Sequence, residues 1–186
     1  RSCNAACLGC ISAEQEGGTT ASHDRIAFVP TAAEVAEVAL THARRVKRAV
    51  VSFGQGCEGE PLSNPSLLLE SIERIRREDK EVCINLNSNA SRPEVVSALF
   101  AAGLSSLRVS LNSLREPLYT AYFRPRNYAF SDVQRSIEAA EKASGFVSLN
   151  YFVFPGVTDQ GEELHSLEAL LDQRAVDMIQ WRNLNV

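Results

Sequence analysis

The sequence lacks any run of about eighteen or more apolar residues, and no positively charged stretch followed by a short apolar one opens it, so neither a membrane span nor a secretion signal is visible. It also lacks an excess of basic residues. The net charge is -4 and the pI is near 5.5, which disfavours a broad nucleic-acid-binding surface. We therefore expect a cytoplasmic protein without a membrane partner, and nucleic acid is not favoured as a partner. Its 186 residues, 45% apolar and 23% charged, suit one globular domain.

A fourth cysteine is missing close to the first three. Cys3, Cys7 and Cys10 lie together at the start of the chain, and the next cysteine is Cys57. The close spacing of three thiols fits reduced ligands around a metal better than a disulfide framework. A zinc site would need a fourth ligand, and His23 lacks the usual second histidine a few residues later. An iron-sulfur cube held by three thiolates instead leaves one iron able to bind a small molecule.

Helix and strand signals alternate from residue 31 onward. Helix starts are predicted by capping boxes at residues 31–34, 91–94 and 131–134, by Asn64 followed by Pro65, and by residues 159–162. Strands are predicted at residues 48–53, 82–87, 106–111, 146–154 and 176–181. This alternation predicts an α/β fold with a parallel sheet and right-handed crossovers.

One face of every predicted strand is polar. Alternate positions give Ser52, Asn85, Asn87, Arg108, Ser110, Asn112, Ser148, Asn150, Gln180 and Arg182. Strands of doubly wound sheets and closed barrels are usually apolar on both faces. Two explanations therefore stay open: a two-layer fold with water on one side, or a curved, incompletely closed barrel around a hydrated cavity for a polar ligand.

Residues 54–61 contain Gly54, Gly56 and Gly59 in the G-x-G-x-x-G pattern of dinucleotide-binding loops. The context disfavours a pyrophosphate site, because two prolines delay the following helix and Glu58 and Glu60 would repel a phosphate.

Several segments together resemble the radical S-adenosylmethionine (radical SAM) superfamily. The cysteine spacing is similar to the family's Cys-x3-Cys-x2-Cys loop, although Gly9 stands where many members have an aromatic residue. The tripeptide at residues 59–61, Gly-Glu-Pro, resembles the motif after the family's second strand. Residues 87–89 and 109–113 resemble the endings of its third and fourth strands, and the resemblance spans almost the whole chain.

By this resemblance, Cys3, Cys7 and Cys10 hold a [4Fe-4S] cluster, and S-adenosylmethionine (SAM) binds the fourth iron through its amino and carboxylate groups. Glu60 is then the acceptor for the SAM ammonium group. The resemblance also implies cofactor contacts for further residues at the strand ends: Asn89, Ser110, Asn112, Asn150 and Arg124, with Arg126 as the alternative to Arg124.

The implied fold is a partial (β/α)6 TIM-like barrel whose first strand and C-terminal remainder lie outside this chain, so that residues 1–186 are the radical SAM core domain of a longer protein. The implied reaction uses an external one-electron reductant of the flavodoxin or ferredoxin type. It cleaves SAM to methionine and a 5′-deoxyadenosyl radical, which abstracts hydrogen from a substrate that the sequence does not identify.

Two other functions stay open: a non-catalytic iron-sulfur or zinc-binding scaffold of the same fold, and a nicotinamide enzyme that uses the glycine loop. The role of Cys57 also stays open.

Overall fold

The structure is a computed structural model that describes residues 3–13, 25–54, 58–174 and 176–183. The helices within these ranges are α1 (Ala32–Ala43), α2 (Pro65–Glu78), α3 (Pro93–Ala101), α4 (Glu116–Phe123), α5 (Phe130–Lys142) and α6 (Gly161–Gln173). The strands are β1 (Val50–Phe53), β2 (Cys83–Ser88), β3 (Ser106–Leu111), β4 (Phe146–Val153) and β5 (Met178–Asn183). A short 3-10 helix, Pro61–Ser63, lies between β1 and α2.

The five strands form one parallel sheet in the order β1-β2-β3-β4-β5. Crossovers between sequential parallel strands are right-handed as a rule, which places the intervening helices on one face. On that face Ile84, Leu107 and Leu149 are completely buried in the hydrophobic core. Each such side chain contributes about 1.5–3 kcal/mol on burial. The predicted parallel α/β fold is confirmed.

The opposite side of the sheet carries the polar positions, and we call it the open face. Its polar residues in the strands are Ser52, Asn85, Asn87, Ser106, Arg108, Ser110, Ser148, Asn150, Gln180 and Arg182. Side chains alternate between the two faces of a strand, so the period-2 pattern of the sequence placed these residues correctly.

Two predicted helix caps are confirmed. Thr31 accepts a hydrogen bond from the Glu34 amide at 3.2 Å, and the Glu34 carboxylate accepts from the Thr31 amide at 2.8 Å. The Asn64 side chain caps α2 by accepting from the Leu67 amide at 3.5 Å.

The other two predicted capping boxes are wrong. Helix α3 begins at Pro93 with Arg92 as its N-cap, because a proline with its restricted φ suits the first helical position, and Ser91 stays outside. Helix α5 begins at Phe130, where the Asp132 carboxylate accepts from the Ala129 amide at 2.8 Å. Helix α4 was not predicted, and it has no side-chain cap to mark its start.

None of the helices in the described ranges combines the length and the apolar character that crossing a bilayer requires.

Candidate functional site

Three thiols and several strand ends line one cavity of about 240 Å³. Cys3, Cys7 and Cys10 all contribute to its wall, each is half-buried, and none forms a disulfide. Much of the remaining wall comes from the carboxyl ends of the strands and the segments that follow them, where parallel α/β folds place their sites, and Arg25 and the end of α4 complete it. Chain topology therefore brings the start of the sequence against residues far along the chain.

Hydrogen bonds from two sides hold the cysteine loop in place. The amides of Ala6 and Leu8 donate to the carbonyls of Phe123 and Tyr122, both at 3.0 Å, so the loop runs along the end of α4. Asn4 accepts from the Asn89 side chain at 2.8 Å and donates to Ser91 Oγ at 2.8 Å, which ties the loop to the segment after β2.

The space beside Gly9 is occupied by an aromatic ring from another element. A Cβ atom at Gly9 would lie 2.6 Å from the Tyr122 hydroxyl oxygen, and the Tyr122 ring lines the cavity. The sequence pattern suggested that an aromatic residue was lost at position 9. The structure places one at almost the same point, contributed by α4.

Polar groups around Cys10 favour its thiolate. Burial opposes ionisation, but hydrogen bonds from Ser12 and Ala13 outweigh it and, with nearby Arg25, lower the pKa of Cys10. Arg25 Nε donates to Ser12 Oγ at 3.0 Å, and Cys10 Sγ lies 3.8 Å from the same oxygen. For Cys3, burial dominates and raises the pKa, and the Glu60 charge adds to the increase.

The thiols suit a cluster better than a single ion. Within the described ranges, no three Cys, His, Asp or Glu side chains are grouped so that they could hold one metal ion. A cubane cluster binds each thiolate at a different iron atom, so its ligands stand further apart than those of one ion. Three reduced, half-buried thiols around one cavity provide such a donor set.

Glu60 is a buried carboxylate with its side chain already engaged. Oε1 accepts from the Leu62 amide at 2.9 Å and from Ser88 Oγ at 2.6 Å, and Oε2 accepts from the Asn89 amide at 2.9 Å. The pKa of Glu60 is raised above its usual value, because burial outweighs the opposing effect of these three hydrogen bonds. The carboxylate thus joins the loop after β1 to the end of β2. Oε2 has one donor, and a carboxylate oxygen can accept two.

Eight of the nine predicted site residues line this cavity: Cys3, Cys7, Cys10, Glu60, Asn89, Ser110, Asn112 and Asn150. The ninth, Arg124, does not. It ends α4 in the left-handed conformation, with φ of 48°. Arg126 also lies outside the cavity wall, and its amide donates to the Asn4 carbonyl at 2.7 Å.

Asn112 presents an unused acceptor. Its Nδ2 donates to the Leu118 carbonyl at 3.1 Å, whereas the buried Oδ1 has no hydrogen-bond partner among the described residues. The side chain is 8% exposed and lines the cavity. A buried acceptor without a donor is costly, so this atom is suited to a ligand hydroxyl or amine.

The segment after Asn112 is held by a second buried carboxylate, Glu163 of α6, which sequence reasoning missed. Glu163 is 1% exposed and accepts from Ser113 Oγ at 2.6 Å, from the Leu114 amide at 2.7 Å, and from the Tyr151 hydroxyl. Arg115 Nε also donates to it at 3.2 Å. Despite burial, these hydrogen bonds lower the pKa of Glu163.

The described part of the glycine loop lacks the helix start that a dinucleotide-binding loop places at its third glycine. Gly59 is followed by the 3-10 helix, and α2 begins only at Pro65. Gly54 has φ of +77°, and a Cβ there would lie 2.1 Å from the Asn87 carbonyl oxygen, so this glycine allows close approach of β1 and β2. Gly56, Cys57 and His23 lie outside the described residues.

Comparison with known proteins identifies the family. The family model described as "Radical SAM superfamily" matches residues 1–167. The chain belongs to the radical SAM superfamily. The predicted cofactors, a [4Fe-4S] cluster and SAM, are the cofactors of this family. No curated protein matches the chain.

Solved structures of radical SAM proteins share the fold. SuiB from Streptococcus suis bound to S-adenosylmethionine is 17% identical, with a TM-score of 0.62 over 100% of this chain and 39% of that one. The protein anSMEcpe with bound AdoMet is 16% identical, with a TM-score of 0.68 over 98% and 49%. A radical SAM methyltransferase from Sphaerobacter thermophilus is 18% identical, with a TM-score of 0.68 over 96% and 54%.

These likenesses confirm the partial-barrel prediction over the two-layer alternative. The chain spans about half or less of the length of these structures.

Proposed function

We propose that this chain is the core domain of a radical SAM enzyme in which Cys3, Cys7 and Cys10 hold a [4Fe-4S] cluster and the adjoining polar cavity binds SAM. The observation that carries the proposal is the convergence of three thiols, none of them in a disulfide, and the polar strand ends on one cavity. When bound, the reduced cluster and SAM supply the one-electron chemistry by which a hydrogen atom is removed from a substrate.

Glu60 receives the SAM ammonium group in this proposal. The Ser88 hydroxyl and the Asn89 amide hold the carboxylate, so it does not have to be ordered when the ligand binds. A charge-assisted hydrogen bond between an ammonium group and a carboxylate is about twice as strong as a neutral one.

Other parts of the cavity wall suit the nucleoside. Asn112 Oδ1 needs a donor, which a ribose hydroxyl provides, and Ser110 and Asn150 offer further polar contacts on neighbouring strands. The Tyr122 ring gives the adenine an apolar surface beside the cysteine loop. Arg25 lines the cavity and is therefore better placed than Arg124 to pair with the SAM carboxylate.

An external one-electron reductant of the flavodoxin or ferredoxin type completes the proposed system. The substrate is a molecule other than the cofactors. It has to bind at the carboxyl ends of the strands, close to SAM, because the reacting atoms must be held together.

Anaerobic reconstitution tests the cluster assignment. The chain should bind about four iron and four sulfide ions, and Cys10→Ala should abolish this. Cys83→Ala is the matched control, because Cys83 lies at the start of β2 outside the cavity wall and should leave iron content unchanged. Normal iron and sulfide in Cys10→Ala would contradict the proposal.

Equilibrium binding of SAM to the reconstituted chain separates the enzyme from the alternatives. Measurable SAM affinity, together with methionine release under a strong reductant, supports the enzyme. A stable cluster without SAM affinity would support the scaffold, and affinity for a nicotinamide dinucleotide would support the third alternative.

A further inference from the structure

Arg108 lies in the middle of the open face, and its side chain has no hydrogen-bond or ion-pair partner among the described residues. It lies on β3 between Asn87 of β2 and Ser148 of β4, and it is half-buried. Its Nε is buried and makes no hydrogen bond, and its guanidinium forms no ion pair with any described residue. A partly buried charge without a partner is costly, because it loses hydration and gains nothing in return.

Arg76 of α2 shows how a structural arginine is engaged in this chain. Arg76 donates to the carbonyls of Gly103 at 2.8 Å and Val82 at 2.7 Å, and to Ser105 Oγ at 2.9 Å. Such a side chain cross-links segments of the fold. The described residues offer Arg108 no comparable acceptors, so support of the fold does not explain its position.

Unlike Arg108, the polar residues around Asn85 on the open face form hydrogen bonds with one another. Asn85 Nδ2 donates to Ser52 Oγ at 2.6 Å and to Asn87 Oδ1 at 3.1 Å, and Asn85 Oδ1 accepts from Ser106 Oγ at 2.7 Å. Because Asn87 uses its oxygen in this network, its amide hydrogens remain available beside Arg108.

The charge of this face has one sign. Across the five described strands, the open-face positions include Arg108 and Arg182 but no aspartate or glutamate. Arg182 is engaged with Asn150, since its Nε donates to Asn150 Oδ1 at 3.0 Å. Arg108 therefore has no carboxylate on its own face that would neutralise it.

Arg108 lies next to the cofactor cavity and outside its wall. Asn87 and Ser110 line that cavity, and Arg108 precedes Ser110 by two residues on the same face of β3. Two residues of a strand span roughly 7 Å. A molecule with one end at Arg108 would therefore place its other end at the cavity.

We propose that Arg108, with the Asn87 amide, binds an oxyanion of the substrate, either a carboxylate or a phosphate group, and thereby positions the substrate's reacting carbon toward the cavity. This inference rests on the proposed function. The planar guanidinium can donate two parallel hydrogen bonds to either oxyanion, which an ammonium group cannot do.

Two simple anions test this site in the reconstituted, SAM-loaded chain. Inorganic phosphate and malonate are titrated separately at constant ionic strength by calorimetry. We expect one of them to bind, and Arg108→Gln to weaken that binding by about tenfold or more. Arg108→Lys keeps the charge and should give an intermediate loss. Preference for phosphate or malonate then identifies the substrate's oxyanion.

Arg74→Gln is the matched control, because Arg74 is a partly exposed arginine of α2 paired with Glu70 and far from the open face. SAM affinity is measured in parallel. It should be unchanged in Arg108→Gln. Absence of SAM affinity in the unmutated chain would refute the proposed function, and anion titration of the chain without SAM would then still test this site.

The site is refuted if neither anion binds the unmutated chain, or if Arg108→Gln and Arg74→Gln bind it equally well. A structural role of Arg108 would also refute the site. It would be shown by a chain that binds neither anion and whose melting temperature falls in Arg108→Gln. If Arg108→Gln does not fold, Arg108→Lys provides the comparison with Arg74→Gln.

Discussion

Replacing Glu163 with glutamine should destabilise the chain far more than replacing the adjacent Glu162 with glutamine. One carboxylate oxygen of Glu163 accepts from Ser113 Oγ and Arg115 Nε, and the other from the Leu114 amide and the Tyr151 hydroxyl. A glutamine has an acceptor oxygen at only one of these two positions. At the other position its NH2 group faces two hydrogen-bond donors and cannot accept from them. A hydrogen bond to a charged group contributes about 1.5–3 kcal/mol.

Two such bonds are lost, although the Ser113 hydroxyl can turn and accept. We therefore expect a loss of about 2–4 kcal/mol in the free energy of unfolding, or roughly 5–15 °C in melting temperature. Glu162→Gln is the control. Its carboxylate pairs with the same Arg115, at 2.5 Å, but its side chain is 80% exposed, so its removal should cost less than about 1 kcal/mol.

Urea denaturation followed by far-ultraviolet circular dichroism measures both variants in the cofactor-free chain. Equal stability of Glu163→Gln and Glu162→Gln would refute the assignment of Glu163 as the group that holds the segment after Asn112. A second readout is SAM affinity of the reconstituted chain, which should fall in Glu163→Gln because Asn112 precedes the held segment by one residue.

The difference should also depend on pH. The folded-state pKa of Glu163 is lowered, so its ionised form stabilises the fold at pH values above the unfolded pKa, and this stabilisation is lost as the pH falls through the folded pKa. The stability gap between the unmutated chain and Glu163→Gln should therefore be largest near neutral pH and shrink below about pH 4.5. A gap that widens in acid would contradict the sign of this argument.

Two further predictions concern the cavity wall. Glu60→Gln should weaken SAM binding by about tenfold or more while the reconstituted chain keeps its iron, and retention of full SAM affinity would exclude Glu60 as the ammonium acceptor. Gly54→Ala should destabilise the chain by about 2 kcal/mol or more in urea denaturation, because its Cβ would meet the Asn87 carbonyl at 2.1 Å; Gly161→Ala, with no atom within 4 Å, is the control and should not be destabilising.

The sequence pattern predicted the sheet because strand faces are local information. A period of two along 106–111 already separates Leu107 and Val109 from Arg108 and Ser110, and the structure keeps that separation. The N-caps of α3 and α5 were less predictable, because several neighbouring residues are suitable for the start of each helix. Proline at 93 and the Asp132 side chain decided those boundaries.

The residues of the site also fall into those that the local sequence predicted and those that it did not. The cysteine loop and the segment around Glu60 are recognisable because their chemistry lies within a few consecutive residues. Arg25, Tyr122 and Glu163 have no such signal, since each acts through a neighbour distant in the chain. Ser113 and Glu163, for example, are 50 residues apart.

The two buried glutamates use the same local arrangement at adjacent strand ends. At the end of β2, Ser88 Oγ donates to Glu60 and accepts from the amide two residues later, while the amide of the next residue donates to the other Glu60 oxygen. After β3, Ser113 Oγ does the same with Glu163 and the Arg115 amide, and the Leu114 amide completes the pattern.

Protein groups alone therefore hold both segments in place before any ligand binds. Ligand binding then does not include the entropic cost of ordering these segments. The two carboxylates differ in one respect: Glu60 lines the cavity, whereas Glu163 does not. Mutation of Glu60 should accordingly reduce SAM affinity by more than its effect on stability accounts for, and mutation of Glu163 should reduce SAM affinity only indirectly, through the position of Asn112.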